Sequence, residues 1–250
     1  MTSTGNLCEI FSGIQGEGLY AGCRQVFIRL YGCNLACRYC DTGYAHNAAD
    51  TYRVERSSGR RNFALGANPA SAQDVVSAAT MLFAGKGAHH SISITGGEPL
   101  FQHKFVREIC MGLKAGGQTT FLETNGTLLG ELEQVIDYVD IISMDIKLPS
   151  VTGAESLLPL HREFLKAARQ RKAYVKTVVA QGTTDRELLD VLEVMESIAP
   201  SIPLVIQPAT PVGGVLAPKA EQLLLWQEMC MARLSDVRVI PQCHKIMGQM

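Results

Sequence analysis

The sequence predicts an α/β fold, a partial barrel of six β/α units whose functional groups lie at the C-terminal ends of the strands. Three observations predict it. Short β-branched or apolar runs alternate with helical patterns along the chain, and no convincing linker interrupts them. Six units are too few for a closed eight-fold barrel, which leaves a partial barrel, with a flat doubly wound sheet as the alternative. Polar residues gather just after the strands, where α/β barrels build their active sites. The 250 residues suit a single domain spanning 1–250.

The elements follow in order. Residues 25–30 (QVFIRL) read as the first strand. Residues 71–86 carry helical apolar spacing behind Ser71, a good N-cap residue. Residues 91–95 (SISIT) alternate as a strand does, and a helix over 103–115 is stopped by Gly116 and Gly117. Strand 119–122, helix 130–138, strand 139–145 (VDIISMD) and helix 161–171 come next. Strand 173–180 (AYVKTVVA) is β-branched and leads to helix 184–198, which Pro200 ends. Strand 203–207 (PLVIQ) runs through a Pro/Gly loop to helix 218–234, and 237–240 (VRVI) is the last strand. Segment 43–70 is the longest stretch without periodicity. Loops beyond ~15 residues are usually functional or disordered. This one directly follows a cysteine motif, so it reads as a lid or cap over the site.

Composition narrows the function. The net charge of -1 lacks the basic excess of a protein whose main partner is a long nucleic acid. The local run Arg53, Arg56, Arg60 and Arg61 is broken by Glu55 and reads as a solvated loop. No stretch approaches ~18 consecutive apolar residues, so no membrane span is expected. Residues 1–6 have no basic and apolar leader pattern, and a cytoplasmic location is expected. In a reducing compartment the eight cysteines are not four disulfides. Cys8, Cys23, Cys110, Cys230 and Cys243 are scattered and read as small buried hydrophobes.

The other three crowd together as Cys33-Asn34-Leu35-Ala36-Cys37-Arg38-Tyr39-Cys40, a C-x3-C-x2-C motif just past the first strand. Thiolates suit iron–sulfur clusters, and such spacing lets one loop wrap a cluster. Three ligands for a cube of four irons leave one iron open, as a reactive metal site requires. Structural zinc is the competing reading, with Cys33, Cys37, Cys40 and His46 as a Cys3His set in a binding module. Further strand ends carry Gly96-Gly97-Glu98-Pro99, Glu123-Thr124-Asn125-Gly126, then Ser143, Asp145 and Lys147, and finally Gln207-Pro208.

The cysteine motif followed by Gly96-Gly97-Glu98-Pro99 resembles the radical S-adenosylmethionine (SAM) superfamily. The resemblance implies a [4Fe–4S] cluster on Cys33, Cys37 and Cys40 whose free iron chelates SAM. Reduction then cleaves SAM to a 5′-deoxyadenosyl radical. Within that superfamily, Glu9-Ile10-Phe11-Ser12-Gly13-Ile14-Gln15-Gly16-Glu17-Gly18, Phe27-Ile28-Arg29, Gly32-Cys33-Asn34-Leu35, Cys40-Asp41-Thr42 and Arg238-Val239-Ile240-Pro241-Gln242-Cys243-His244-Lys245 resemble the 7-carboxy-7-deazaguanine synthase family over nearly the whole chain. That family contracts 6-carboxy-5,6,7,8-tetrahydropterin to 7-carboxy-7-deazaguanine with loss of ammonia, in queuosine and deazapurine biosynthesis. It uses Mg²⁺ and regenerates SAM.

By this resemblance Ile14, Gln15, Gly16 and Glu17 line the pterin edge, Arg29 faces the substrate carboxylate and Thr95 touches substrate. Tyr39, Asp41, Gly97, Ser143, Asp145, Lys147 and Gln207 bind SAM, and Thr42 offers a hydroxyl to Mg²⁺. A homodimer and a flavodoxin-like or similar electron donor are also implied. Plainer roles stand beside these. Arg29 would otherwise be a surface strand residue, Glu17 a turn cap and Thr42 a helix N-cap. His244 and Lys245 are left outside the site. A glycyl-radical activase shares the cysteine motif, but its protein substrate gives no reason for Gln15 and Arg29 ahead of the cluster.

Overall fold

The computed structural model describes residues 2–40, 42–83 and 85–249. Its main sheet has ten strands: β1 (Leu7–Ile14), β2 (Arg24–Leu30), β3 (Thr51–Glu55), β4 (Phe63–Ala67), β5 (Ser91–Gly96), β6 (Thr120–Thr124), β7 (Ile141–Ile146), β8 (Lys172–Val179), β9 (Leu204–Pro208) and β10 (Val237–Val239). The strand order is β10-β9-β8-β7-β6-β5-β2-β1-β3-β4. From β2 through β10 the successive neighbours are parallel and follow chain order.

Helices α1 (Ala72–Leu82), α2 (His103–Ala115), α3 (Leu129–Val135), α4 (Leu158–Ala168), α5 (Asp185–Ile198) and α6 (Ala220–Met231) make the crossovers. Parallel crossovers are right-handed, so adding each strand on the same side puts every helix on one face. That sequential order is the one a partial barrel has. A doubly wound sheet would reverse it.

Strand periodicity then decides what faces inward. Val26, Ile28 and Leu30 are fully buried in the core shared with α1 and α2, while Arg29 lines the concave side. On that side β6 to β9 each pair an apolar residue with a polar one two positions on. Phe121, Ile141, Tyr174 and Val205 pack with Leu19, Tyr20 and Ile240 into a plug. Glu123, Ser143, Lys176 and Gln207 follow them towards the strand C-termini and line a hollow.

The expected helices form, α2 on its expected span and the others with shifted ends. Ser71 caps α1 by accepting from Asp74 N, but α1 stops at Leu82. Thr184 and Glu187 form a capping box on α5. A 3-10 turn, Ile136–Tyr138, completes α3. The pattern reading did not mark β1, whose LCEIFSGI is buried on both faces and does not alternate. Nor is segment 43–70 without regular structure. Its strands β3 and β4 form a hairpin that docks β3 on β1, and His46 is its described residue on the hollow.

Candidate active site

The cysteine loop is held by backbone contacts that only glycine permits. Gly97 N donates to Leu30 O at 3.1 Å and Glu98 N to Gly32 O at 2.8 Å. A Cβ on Gly97 would lie 2.1 Å from Gly32 O, and one on Gly96 (φ +128) 2.2 Å from Leu30 O. These glycines are thus required by the close approach of the two loops, before any ligand is considered.

Two side chains complete the clamp. Asn125 Nδ2 donates to Asn34 Oδ1 at 2.8 Å, and Asn34 Nδ2 to Thr127 Oγ1 at 2.9 Å. Glu98 is fully buried and accepts from Leu100 N, Asn125 N and Thr124 Oγ1 at 3.0, 2.6 and 2.9 Å. Burial raises its carboxyl to about 7 against those hydrogen bonds.

Cys33, Cys37 and Cys40 all line a hollow of about 170 Å³ at the strand C-termini. Each is a free, half-buried thiol. Leu35 N donates to Cys33 Sγ at 3.4 Å. Burial raises the Cys33 and Cys37 thiols. Among the described residues no three His, Cys, Asp or Glu side chains converge on one point as a single metal ion requires. A cube is held at its corners, which spreads its thiolates.

Tyr39, Gly97, Ser143, Asp145, Lys147 and Gln207 stand on the same hollow. Lys147 Nζ donates to Tyr39 Oη and to Asp145 Oδ2, both at 2.7 Å. Burial opposes the Lys147 charge, yet Asp145 and Tyr39 hold its pKa up. Two atoms here are buried without a partner among the described residues, Asp145 Oδ1 and Gln207 Oε1. Orphaned buried acceptors are costly, and both belong to residues that line this hollow, where a ligand with hydroxyl or ammonium donors would satisfy them. The expected role of Asp41 lies outside the described residues.

A second hollow, about 280 Å³, adjoins the first and shares Glu17, Arg29, Thr42, Thr95 and Glu123 with it. Ile14, Gln15, Gly16, Phe27, His244, Lys245 and Gln249 complete its lining. Arg29 is not a surface strand residue. Its side chain is 14% exposed, and Nε donates to Glu9 Oε1 at 3.0 Å. Gln15 Nε2 donates to Gln25 Oε1 and Glu123 Oε1, both at 2.9 Å. Ser93 and Thr95 hydroxyls also donate to Glu123, at 2.9 and 3.2 Å.

Glu17 is not a turn cap either. Its side chain makes no cap bond to the following 3-10 turn and pairs instead with Lys176 and Gln242. Burial would raise its carboxyl, but the Lys176 charge and these bonds hold it down to about 2. Thr42 sits at the N-cap of Gly43–His46 without capping it. Its hydroxyl lies 3.7 Å from Cys40 Sγ, and the residue lines both hollows.

The chain end closes this side. Cys243 N donates to Gly16 O at 2.8 Å, and Gln242 Nε2 donates to Glu17 Oε1 at 2.7 Å. A Cβ on Gly16 would lie 2.2 Å from His244 Nδ1. His244 and Lys245, left outside the site on sequence grounds, line this hollow. Glu123, Lys176 and Gln242 are also brought in, and Glu9, which lines neither hollow, pairs with Arg29. Lys176 did carry a signal, as a lone charge within the β-branched run AYVKTVVA.

The radical SAM superfamily model matches residues 27–195. Over 243 residues the chain is 44% identical to the 7-carboxy-7-deazaguanine synthase of Geobacter sulfurreducens, covering 97% of this chain and 96% of that one. The chain belongs to the 7-carboxy-7-deazaguanine synthase family of radical SAM enzymes. The Methanocaldococcus jannaschii relative of the same name is 34% identical over 254 residues, covering 97% of this chain and 99% of its own. The crystal structure of QueE from Escherichia coli shares the fold, with a TM-score of 0.64 at 21% identity over 96% of this chain and 95% of that one.

The family works with a [4Fe–4S] cluster and SAM, and the residues present fit both. Three free thiols line the hollow, together with Asp145 and Gln207, the residues that carry the two orphaned acceptors. Neither the zinc module nor the glycyl-radical activase is favoured. Among the described residues no helix is long and apolar enough to cross a membrane.

Proposed function

We propose that this enzyme converts 6-carboxy-5,6,7,8-tetrahydropterin to 7-carboxy-7-deazaguanine with loss of ammonia. The observation that carries the reading is the junction of the two hollows. Arg29, Thr42 and Thr95 stand on both, between the cysteine loop and the loop Ile14–Glu17. Cys33, Cys37 and Cys40 hold the cluster, and Tyr39, Asp41, Gly97, Ser143, Asp145, Lys147 and Gln207 hold SAM. When bound, these groups supply a carbon radical that takes a hydrogen atom from the substrate.

The protein's part is orientation, since only one C–H bond can be presented to that reagent. Arg29 takes the substrate carboxylate, which a planar guanidinium grips bidentately. Glu17 and Glu123 are acceptors for the N–H-rich edge of a pterin, with Gln15, Gly16 and Thr95 beside them. Thr42 gives a hydroxyl to Mg²⁺, which binds through few hard oxygen ligands and substrate oxygens. The reading extends to a single domain over 1–250, a flavodoxin-like electron donor, a homodimer and a cytoplasmic location.

The Arg29 assignment is tested with two substrates. The wild type should turn over 6-carboxytetrahydropterin and not its analogue lacking the carboxylate. Arg29→Ala should lower kcat/KM for the carboxylated substrate by about 100-fold or more, on the order of 3 kcal/mol. Its iron content and cluster spectrum should stay as in the wild type. Equal turnover of both substrates by the wild type would remove Arg29 from this role.

A further inference from the structure

We propose that Lys176 is a positioning residue that couples the SAM half of the site to the pterin half. The inference rests on the assignment of the two hollows made above and deepens it. Lys176 lies on β8 in register with Asp145 on β7. Its ammonium is 3.5 Å from Asp145 Oδ2 and hydrogen-bonds Glu17 Oε2, a residue 159 positions away in sequence. Asp145 belongs to the hollow that holds the cysteines, and Glu17 to both. One buried cation thus serves a carboxylate of each half. It is also well placed to be felt, since its side chain is 10% exposed and the pair is shielded from solvent.

The loop carrying Glu17 is held against the same strand by shape. Gly18 has φ +64, and a Cβ there would lie 2.1 Å from Tyr174 Oη. Tyr174 and Lys176 both project from β8 into the barrel, one above the other. Tyr174 therefore sets how closely residues 15–18 approach, and Lys176 supplies the charge that fixes Glu17 there. Glu17 in turn receives Gln242 of the chain end. The link runs from Asp145 through Lys176 and Glu17 to the segment that closes the pterin hollow.

Two carboxylates compete for this ammonium, and the longer contact is to Asp145 Oδ2, which it shares with Lys147 at 2.7 Å. Asp145 Oδ1 is buried without a partner among the described residues, on the hollow assigned to SAM. A donor arriving at that oxygen draws charge from Asp145 and weakens its claim on Lys176. The ammonium then settles more fully on Glu17, and the Ile14–Glu17 loop is held in its binding position. By linkage, pterin that tightens the Glu17 side strengthens SAM binding by the same factor.

The test is equilibrium binding to anaerobically reconstituted, unreduced holoenzyme, so that no turnover enters the readout. The dissociation constant of SAM is measured by calorimetry with and without saturating 6-carboxytetrahydropterin and Mg²⁺. The wild type should bind SAM about tenfold more tightly with pterin present, within the usual range of coupling between sites. In Lys176→Met the ratio should fall close to one, and Lys176→Arg should restore most of it. Glu17→Gln, which removes the other end of the link, should also abolish the ratio, and the double variant should be no worse than either single one. If Lys176→Met fails to fold, Lys176→Gln, which keeps a donor and removes the charge, takes its place with the same expected ratio near one. A wild-type ratio near one, or full coupling in Lys176→Met or Glu17→Gln, overturns the inference and leaves the proposed function standing. A wild type that binds SAM but no pterin overturns the proposed function, and this inference with it.

Discussion

Single side chains in this site are defined by which partner they take, and that gives each a distinct test. Thr42 does not cap the turn that it precedes, its hydroxyl lies beside Cys40, and the residue lines both hollows. Thr42→Val should raise the Mg²⁺ concentration needed for half-maximal turnover severalfold, with SAM binding retained. Unchanged activity at limiting Mg²⁺ would exclude Thr42 as a ligand. Glu17 makes a pH prediction. Its folded-state carboxyl is held at about 2, below the ordinary value of 4.5. Its pairing therefore stabilises the fold fully above pH 4.5, and the contribution is lost as pH falls towards 2. Urea midpoints should drop more steeply over that window for the wild type than for Glu17→Gln. The family resemblance pointed to Arg29 and Glu17, but not to their partners. Glu9 lies opposite Arg29 only once β1 and β2 pair, and Lys176 meets Glu17 only when β8 closes beneath residues 15–18.

At the level of elements, the loop after β6 carries the cysteine loop. Asn125 and Thr127 hold both ends of the Asn34 amide, and Glu98 ties the same loop to the turn after β5. Asn34→Ala should therefore loosen the three thiols without touching them. Reconstituted Asn34→Ala should lose iron to a chelator several times faster than the wild type, with an unchanged spectrum at first. Equal loss rates would make the Asn34 bonds incidental. Most elements were legible because β-branched runs and helical spacing are local properties. Helix α2 matches its expected span, and α5, Asp185–Ile198, starts one residue inside its own. Strand β1 was hidden because LCEIFSGI is buried on both faces and so has no two-residue alternation. The β3–β4 hairpin was hidden because it is a sheet edge, where exposed and buried positions follow no single face.

For the molecule as a whole, strand order and period together make the site. Strands added in sequence on one side place the helices outside. A two-residue step then sets an apolar plug below and polar groups above. The cysteine loop, the orphaned acceptors and the Arg29 face all open on joined hollows, and the chain end seals one side through Gly16 and Glu17. That closure could not be read from the sequence, because Cys243 and Gly16 meet only in the folded barrel. The account predicts one reaction from this arrangement. The most direct measurement is anaerobic incubation of the reduced, cluster-loaded protein with SAM, Mg²⁺ and 6-carboxytetrahydropterin, followed by mass analysis. Formation of 7-carboxy-7-deazaguanine over many turnovers, with SAM recovered intact, is the predicted result. Cleavage of SAM that never yields this product would contradict it.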